Sequence, residues 1–280
     1  MSTDEKWADL HIHTNKSDGT HTTEDVFMHA KNAGLSALSI TDHDTVAAAN
    51  EAVQLAQSYG IEFVPGVELS AMHESKEIHV VGLFMDWKNK KFEDTLVYFR
   101  KKRTERAEKI IRKLKENGVD VAFEELYEVT ENMNNAGRLH IARLLLKKKY
   151  VRNIKEAFEK FLAEDKPAYV EKARISVSDA ISIIKEVGGV SVLAHPALIK
   201  NDSLIPGWAA EGLDGIEVYH PDHGYEEQLR YTGLANELGL LISGGSDSHG
   251  SFKEYTSIGK IRISYDDFTK LKTKADGAKK

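Results

Sequence analysis

The stretch Ala8-Asp9-Leu10-His11-Ile12-His13-Thr14-Asn15-Lys16-Ser17-Asp18-Gly19 decides how the rest of the chain is read. His11 and His13 are two residues apart. Alternate side chains of a strand point to one face, so both imidazoles project together. The spacing predicts a short strand from Trp7 to His13, with Leu10 and Ile12 on the opposite face. Ser17, Asp18 and Gly19 then read as a loop. Two neutral imidazoles with a carboxylate nearby suit a divalent transition metal. A strand that merely carries two histidines near its end has the same sequence, so the neighbouring segments must decide.

Those segments repeat the pattern. Residues 23–33 predict a helix with Val26, Phe27 and Ala30 apolar, stopped by Gly34. A strand from Leu35 to Ile40 ends in Thr41-Asp42-His43-Asp44-Thr45, where Asp44 or Thr45 can cap a helix that runs to Tyr59. Ile61 to Val67 is a strand ending in Gly66-Val67-Glu68-Leu69-Ser70, and Glu77 to Phe84 is another, with His79 inside an apolar run. Further on, Val190–Ala194 leads to His195-Pro196 and Asp214–Tyr219 leads to His220-Pro221-Asp222-His223. Leu240–Ser243 leads to Gly244-Gly245-Ser246-Asp247-Ser248-His249. Nearly every strand therefore ends in His, Asp or Glu. Thr256 to Ser264 is expected as a last strand, and the lysines from Lys270 onward as a loose tail.

Between about residues 92 and 165 the strand pattern stops. A helix from Glu93 to Asn117 carries Leu96, Phe99, Ala107, Ile110 and Leu114 at helical spacing, with a strongly basic remainder. More helix is expected over Phe123–Tyr127, Leu139–Lys149 and Ile154–Leu162. The basic face is either solvated surface or a patch that holds a phosphate-bearing substrate. Arg138 and His140 sit near a helix start, where backbone N–H groups favour anions.

Composition narrows the classes. The 280 residues are 41% hydrophobic, enough for a real core, and contain twelve histidines. Cysteine is absent, which excludes disulfides and thiolate zinc sites. No apolar run approaches the ~20 residues of a membrane span, and no signal-peptide pattern opens the chain, so a cytoplasmic protein is expected. A net charge of −6 argues against nucleic-acid binding by the whole surface. Polar residues clustered at strand C-termini predict a (β/α) barrel, whose active sites lie at that face. An open doubly wound sheet would use a single crevice, and no phosphate-binding glycine loop is present.

In this order, Asp-Leu-His-Ile-His…Ser-Asp-Gly, Thr-Asp-His-Asp, Gly-Val-Glu-Leu-Ser, Glu-Ile-His, Ala-His-Pro and Gly-Ser-Asp-Ser-His resemble the PHP (polymerase and histidinol phosphatase) superfamily, from residue 8 to about residue 260. Gly137-Arg138-Leu139-His140-Ile141-Ala142-Arg143 and Lys166-Pro167-Ala168-Tyr169-Val170 resemble its stand-alone bacterial branch, which acts on nucleoside 3′,5′-bisphosphates and the 5′ ends of short RNAs. The fold expected is a distorted (β/α)7 TIM-like barrel over residues 1–92 and 166–280 with a helical insertion over 93–165.

The resemblance implies a trinuclear site. His11, His13, Glu68 and Asp247 would hold the first metal, with Glu68 bridging. Asp18, His43 and His249 would hold the second, and Glu68, His79 and His195 the third. Some relatives have His at the position of Asp18. Manganese is expected, with iron or zinc as alternatives. Asp9, Asp42 and Asp44 are candidates for orienting imidazoles. Arg138, His140 and His220 are candidates for substrate contact, and His220 or His223 for protonating the leaving oxygen. The implied activity is hydrolysis of a phosphate ester by metal-activated water, with Asp18 and His43 in the catalytic centre and no obligate protein partner. The competing readings are a histidinol-phosphatase-like phosphomonoesterase, an amidohydrolase and a non-catalytic metal-binding module.

Overall fold

The computed structural model describes residues 5–74, 76–130, 133, 136–171, 175–252 and 257–278. Eight strands form one nearly closed sheet in the order β7-β6-β5-β4-β3-β2-β1-β8. Strands β1 (Trp7–Asp9), β2 (Ala37–Ile40) and β3 (Glu62–His73) run parallel. Strand β4 (Lys76–Leu83) is antiparallel to both β3 and β5 (Val190–Leu193). Strands β5, β6 (Gly215–Tyr219) and β7 (Leu241–Gly244) are again parallel. The sheet closes where Leu10 N–H donates to Gly244 O (3.2 Å) and Ile12 bridges Ser248. Closure removes the edges that an open sheet would expose.

The last strand is shorter than expected. β8 is only Ile263–Ser264, antiparallel to β1, and residue 256 of the expected strand lies outside the described residues. The residues read as a loose tail form helix α9 (Tyr265–Ala278), which buries Phe268, Leu271 and Ala275. Lys272 pairs with Glu62 at the start of β3, and Lys274 with Asp214 just before β6. Helix α9 therefore lies under the N-terminal ends of the strands. Its apolar face joins Ala8, Ala37, Val64, Val81, Val192 and Ile263 in one core inside the barrel.

Helices α1 (Thr23–Asn32) and α2 (Ala49–Tyr59) cover the outer face of β1 and β2. Neither Asp44 nor Thr45 caps α2: the cap position is Ala48, which offers no side-chain acceptor. Helices α6 (Val177–Glu186), α7 (Ile205–Ala210) and α8 (Tyr225–Leu238) cover β3 to β6. Among the described residues no strand lies between β4 and β5. That stretch holds α3 (Lys90–Glu116), a short 3-10 turn, α4 (Arg138–Lys147) and α5 (Ile154–Ala157), which runs on into a π turn at Phe158–Leu162. The first turns of α3 bury Phe92 and Leu96 against the barrel. Its later turns bury Ala107, Ile110 and Leu114 in a separate core with Ile141, Leu145 and Ala168.

Candidate metal centre

β1 ends at Asp9, so His11 and His13 lie on the extended segment past the strand rather than within it. They still share a face, and both are fully buried. The segment is anchored tightly: His13 N–H donates to Ser248 O at 2.9 Å. The Asp9 carboxylate accepts from the backbone N–H of Ser246 (2.9 Å), Gly259 (2.9 Å) and His11 (3.4 Å), not from an imidazole. Burial pushes its pKa up to about 6. Gly245 permits the close approach, because a Cβ there would sit 2.4 Å from His11 N.

Glu68 is the centre of the cluster. β3 pairs with β2 only to Pro65 and then with β4, so Glu68 stands above the end of β2, close to His43. The register sets Glu68 opposite Val81 and Ser70 opposite His79. His79 is thus the diagonal cross-strand neighbour of Glu68. Glu68 Oε1 lies 2.7 Å from His79 Nδ1 and 3.2 Å from His195 Nε2. Its Oε2 lies 3.1 Å from His43 Nδ1, 3.2 Å from His13 Nε2 and 3.5 Å from His11 Nε2. Asp247 Oδ1 lies 3.3 Å from His13 Nε2 and 3.5 Å from both His11 Nε2 and His249 Nδ1. Asp18 Oδ1 is 3.4 Å from His249 Nε2, and Asp18 Oδ2 is 3.8 Å from His43 Nε2.

The donors fit a cation better than they fit each other. Glu68 Oε2 and His13 Nδ1 are buried and make no hydrogen bond, despite their near neighbours. The Nε2 atoms of His11 and His13 face one another at 3.2 Å, where at most one proton can stand between them. Three converging sets emerge: His13, Asp18, His43 and His249; His11, His13 and Glu68; and His43, Glu68 and His79, each with donor atoms within 4.8 Å. His13 and His43 thus appear in two sets, a wider sharing than the resemblance implies.

Burial alone would raise the carboxylate pKa values. Instead the neighbouring rings, His79 and His43 first, hold Glu68 well below the carboxylate range, and His43 and His249 do the same for Asp18. In turn Asp247 and Glu68 outweigh burial at His13, as Glu68 and Glu77 do at His79, and lift both rings to about 9. An entering cation must displace those protons.

The remaining candidates fall around this cluster. Asp42 accepts from Thr14 N–H (2.7 Å), Thr14 Oγ1 (2.6 Å) and Ser17 Oγ (2.5 Å), so it shapes the loop after β1 rather than turning a ring. Asp44 pairs with Arg103 at 3.2 Å. His140 Nδ1 accepts from Gly137 N–H (3.1 Å) at the start of α4, and the ring is buried away from the main cleft. His220 is also buried, behind His11 and Asp247. Its Nδ1 accepts from Asp222 N–H (3.1 Å) and its Nε2 lies 3.5 Å from Asp247 Oδ2, so it does not reach the cleft. His223 holds Val218 O through Nδ1. Arg138 does line the cleft and pairs with Glu77 at 2.7 Å. Glu77 also accepts from His79 Nε2 at 3.1 Å.

Sequence reasoning missed Glu77, Glu217, Arg103 and Arg106. The cleft has a volume of about 280 Å³ and opens on Asp18, His43, His79 and His195, with Arg103, Arg106 and Arg138 in its walls.

A barrel with buried His, Asp and Glu donors at its strand ends, under an arginine-lined cleft, is built as a metal-dependent hydrolase of anionic esters. The chain belongs to the PHP domain family, which it matches over residues 9–174. It is 32% identical over 246 residues to a 3′,5′-nucleoside bisphosphate phosphatase of Chromobacterium violaceum, covering 86% of each chain. It is equally 32% identical over 246 residues to a 5′-3′ exoribonuclease of Haemophilus influenzae, covering 86% of this chain and 89% of the relative. A crystal structure from Bifidobacterium adolescentis, provisionally assigned as a metal-dependent phosphoesterase, superposes with a TM-score of 0.88. That protein is 28% identical, with 95% of this chain and 96% of the other covered. The chain is accordingly an enzyme, a metal-dependent phosphoric ester hydrolase. Among the described residues no helix is long and apolar enough to cross a membrane.

Proposed function

We propose that the chain hydrolyses a phosphate ester of a nucleoside 3′,5′-bisphosphate through a site that holds up to three divalent ions, manganese foremost. The observation that carries this is Arg138, with Arg103 and Arg106, in the wall of the cleft above His43, His79 and His195. Two phosphates on one small molecule need two sources of positive charge. The donor cluster serves the scissile group and the arginines serve the other, since a guanidinium matches phosphate oxygens in pairs.

His11, His13, Glu68 and Asp247 would hold one ion, Asp18, His43 and His249 a second, and Glu68, His79 and His195 a third. Divalent ions supply Lewis-acid chemistry there, drawing charge from phosphate oxygens and acidifying the attacking water. The chain's own groups do the rest. Arg138 shares its charge with Glu77 and so gives an incoming phosphate a donor already held in place at the cleft wall. Phe158 lies under the Arg138 guanidinium, 5.8 Å from ring centroid to Cζ, and offers an apolar face to a nucleobase. Arg106, which donates to Val170 O at 2.7 Å, lines the same cleft. The helical insertion, residues 93–165, acts as the cap that brings these cations over the barrel.

A second reading is favoured by an adjoining cleft of about 310 Å³ that shares Arg106 and Arg138 and continues past Lys76, Tyr169 and Lys200. It suits further nucleotides of a short RNA whose 5′ end enters the cluster. The test supplies manganese-loaded protein with adenosine 3′,5′-bisphosphate or with a short 5′-phosphorylated RNA, and separates the products by chromatography. Turnover that a chelator abolishes supports the reading, and the better substrate chooses between the two. His43→Ala should abolish turnover with an unchanged circular dichroism spectrum. Demonstrable metal binding with no turnover of either substrate would refute the proposal in favour of another phosphoester or a regulatory module.

A further inference from the structure

We propose that Glu217, buried on β6, is a positioning residue that sets the tautomer of His11 and the backbone of His195 from behind the metal centre. The inference rests on reading His11 and His195 as metal ligands. Glu217 belongs to none of the converging donor sets. Its Oε1 lies 2.8 Å from His11 Nδ1, on the edge of the ring away from the cluster. An ionised carboxylate only accepts. The proton on that edge is therefore fixed on His11 Nδ1, which leaves Nε2, on the edge facing Glu68 and Asp247, as the nitrogen that takes an ion once its own proton is displaced.

The second oxygen serves a different donor. Glu217 Oε2 accepts from the backbone N–H of His195 at 2.7 Å. His195 stands in the left-handed region at φ 30°, unusual for a residue with a side chain. Pinning its N–H holds that turn, and with it the ring whose Nε2 sits 3.2 Å from Glu68 Oε1. One side chain thus orients donors from two strand ends. β6 can supply it because Ile216 and Val218 face the helical layer, so alternation turns Glu217 to the inside of the barrel. Carboxylates behind ligating histidines do this elsewhere, and their loss weakens metal binding by roughly 10- to 100-fold.

Glu217→Gln keeps the size but must turn an amide N–H₂ toward one of two donors. The experiment titrates metal-stripped wild-type and Glu217→Gln protein with Mn²⁺ by calorimetry. It also records imidazole ¹⁵N–¹H correlations of the zinc-loaded protein. The variant is expected to bind Mn²⁺ at least about 10-fold more weakly. In wild-type protein the His11 proton is expected on Nδ1 and protected from exchange. Affinity of the variant within twofold of wild type would overturn the inference, as would a His11 proton on Nε2. The wild-type spectrum decides even if the variant fails to fold. Wild-type protein that binds neither Mn²⁺ nor Zn²⁺ would instead refute the reading of the ligands themselves.

Discussion

Acidification should weaken the fold through a single ring in the insertion, His140. The ring is buried, and its Nδ1 is the acceptor for Gly137 N–H at the first turn of α4, the half of a capping box usually made by Glu or Gln, since Gly137 has no side chain to complete the other half. Protonation would replace that acceptor with a second donor. Burial, aided by the nearby Arg143 and Arg103, pushes its pKa from the ordinary 6.5 down to about 4. The unfolded chain therefore binds a proton between those two values that the folded chain refuses. The contribution is fully present above the unfolded value and is lost as the pH falls through the folded one. At 1.36 kcal/mol per unit the whole effect is roughly 3 kcal/mol, and about 2 kcal/mol of it is already lost at pH 5. His140→Gln keeps an acceptor at the same helix position and removes the titration. Urea unfolding of metal-stripped wild-type and variant protein, each at pH 7 and pH 5, isolates the term, because every other titrating group is common to both. Wild type should lose about 2 kcal/mol more than the variant across that interval. Equal losses would show that His140 does not titrate in this window and would refute the cap.

Two further outcomes follow from the site. Arg138→Ala should raise KM by roughly 10-fold or more, the worth of a charge-assisted hydrogen bond, with a smaller fall in kcat, because its contact with phosphate is made before the chemical step. An unchanged KM in steady-state kinetics would remove it from the substrate site. Gly245→Ala should lower the melting temperature and the metal content together, since the new methyl would sit 2.4 Å from His11 N and 2.6 Å from His11 Cβ. Full metal content by elemental analysis would mean that the two segments can part without disturbing the donors.

The donors were legible because each stands in an otherwise apolar or turn context, most of them just past the end of a strand and Glu68 and His79 inside β3 and β4. A histidine after Val190–Leu193, or an acid after Gly66-Val67, has no ordinary structural purpose there. Their convergence was legible as well, because a barrel brings side chains from β1 to β5 and from β7 to one end. Glu217 was not. An acid between Ile216 and Val218 looks like the solvent-facing member of an alternating strand, and only closure of the sheet sets it against His11. Arg103 and Arg106 were hidden among the lysines and arginines of α3, where residue type is the same on the wet face and on the face that meets the cleft. Helix α9 was obscured by Lys270, Lys272 and Lys274, although Phe268, Leu271 and Ala275 carried the helical spacing. Asp44 resembled a helix cap but takes a left-handed backbone and pairs with Arg103, because its place in space is set by the loop above the barrel rather than by the helix that follows.

The helix that floors the barrel comes after every strand in the chain. Until residues 265–278 dock, Ala8, Val64, Val192 and Ile263 have no lid against water. The driving force from burying that core thus arrives last. The contact it completes also spans almost the whole chain, from α9 back to β1, the kind of long-range closure that slows folding. A chain cut before Tyr265 would therefore keep every donor of the metal cluster while leaving the lower end of the barrel open to water and prone to aggregation.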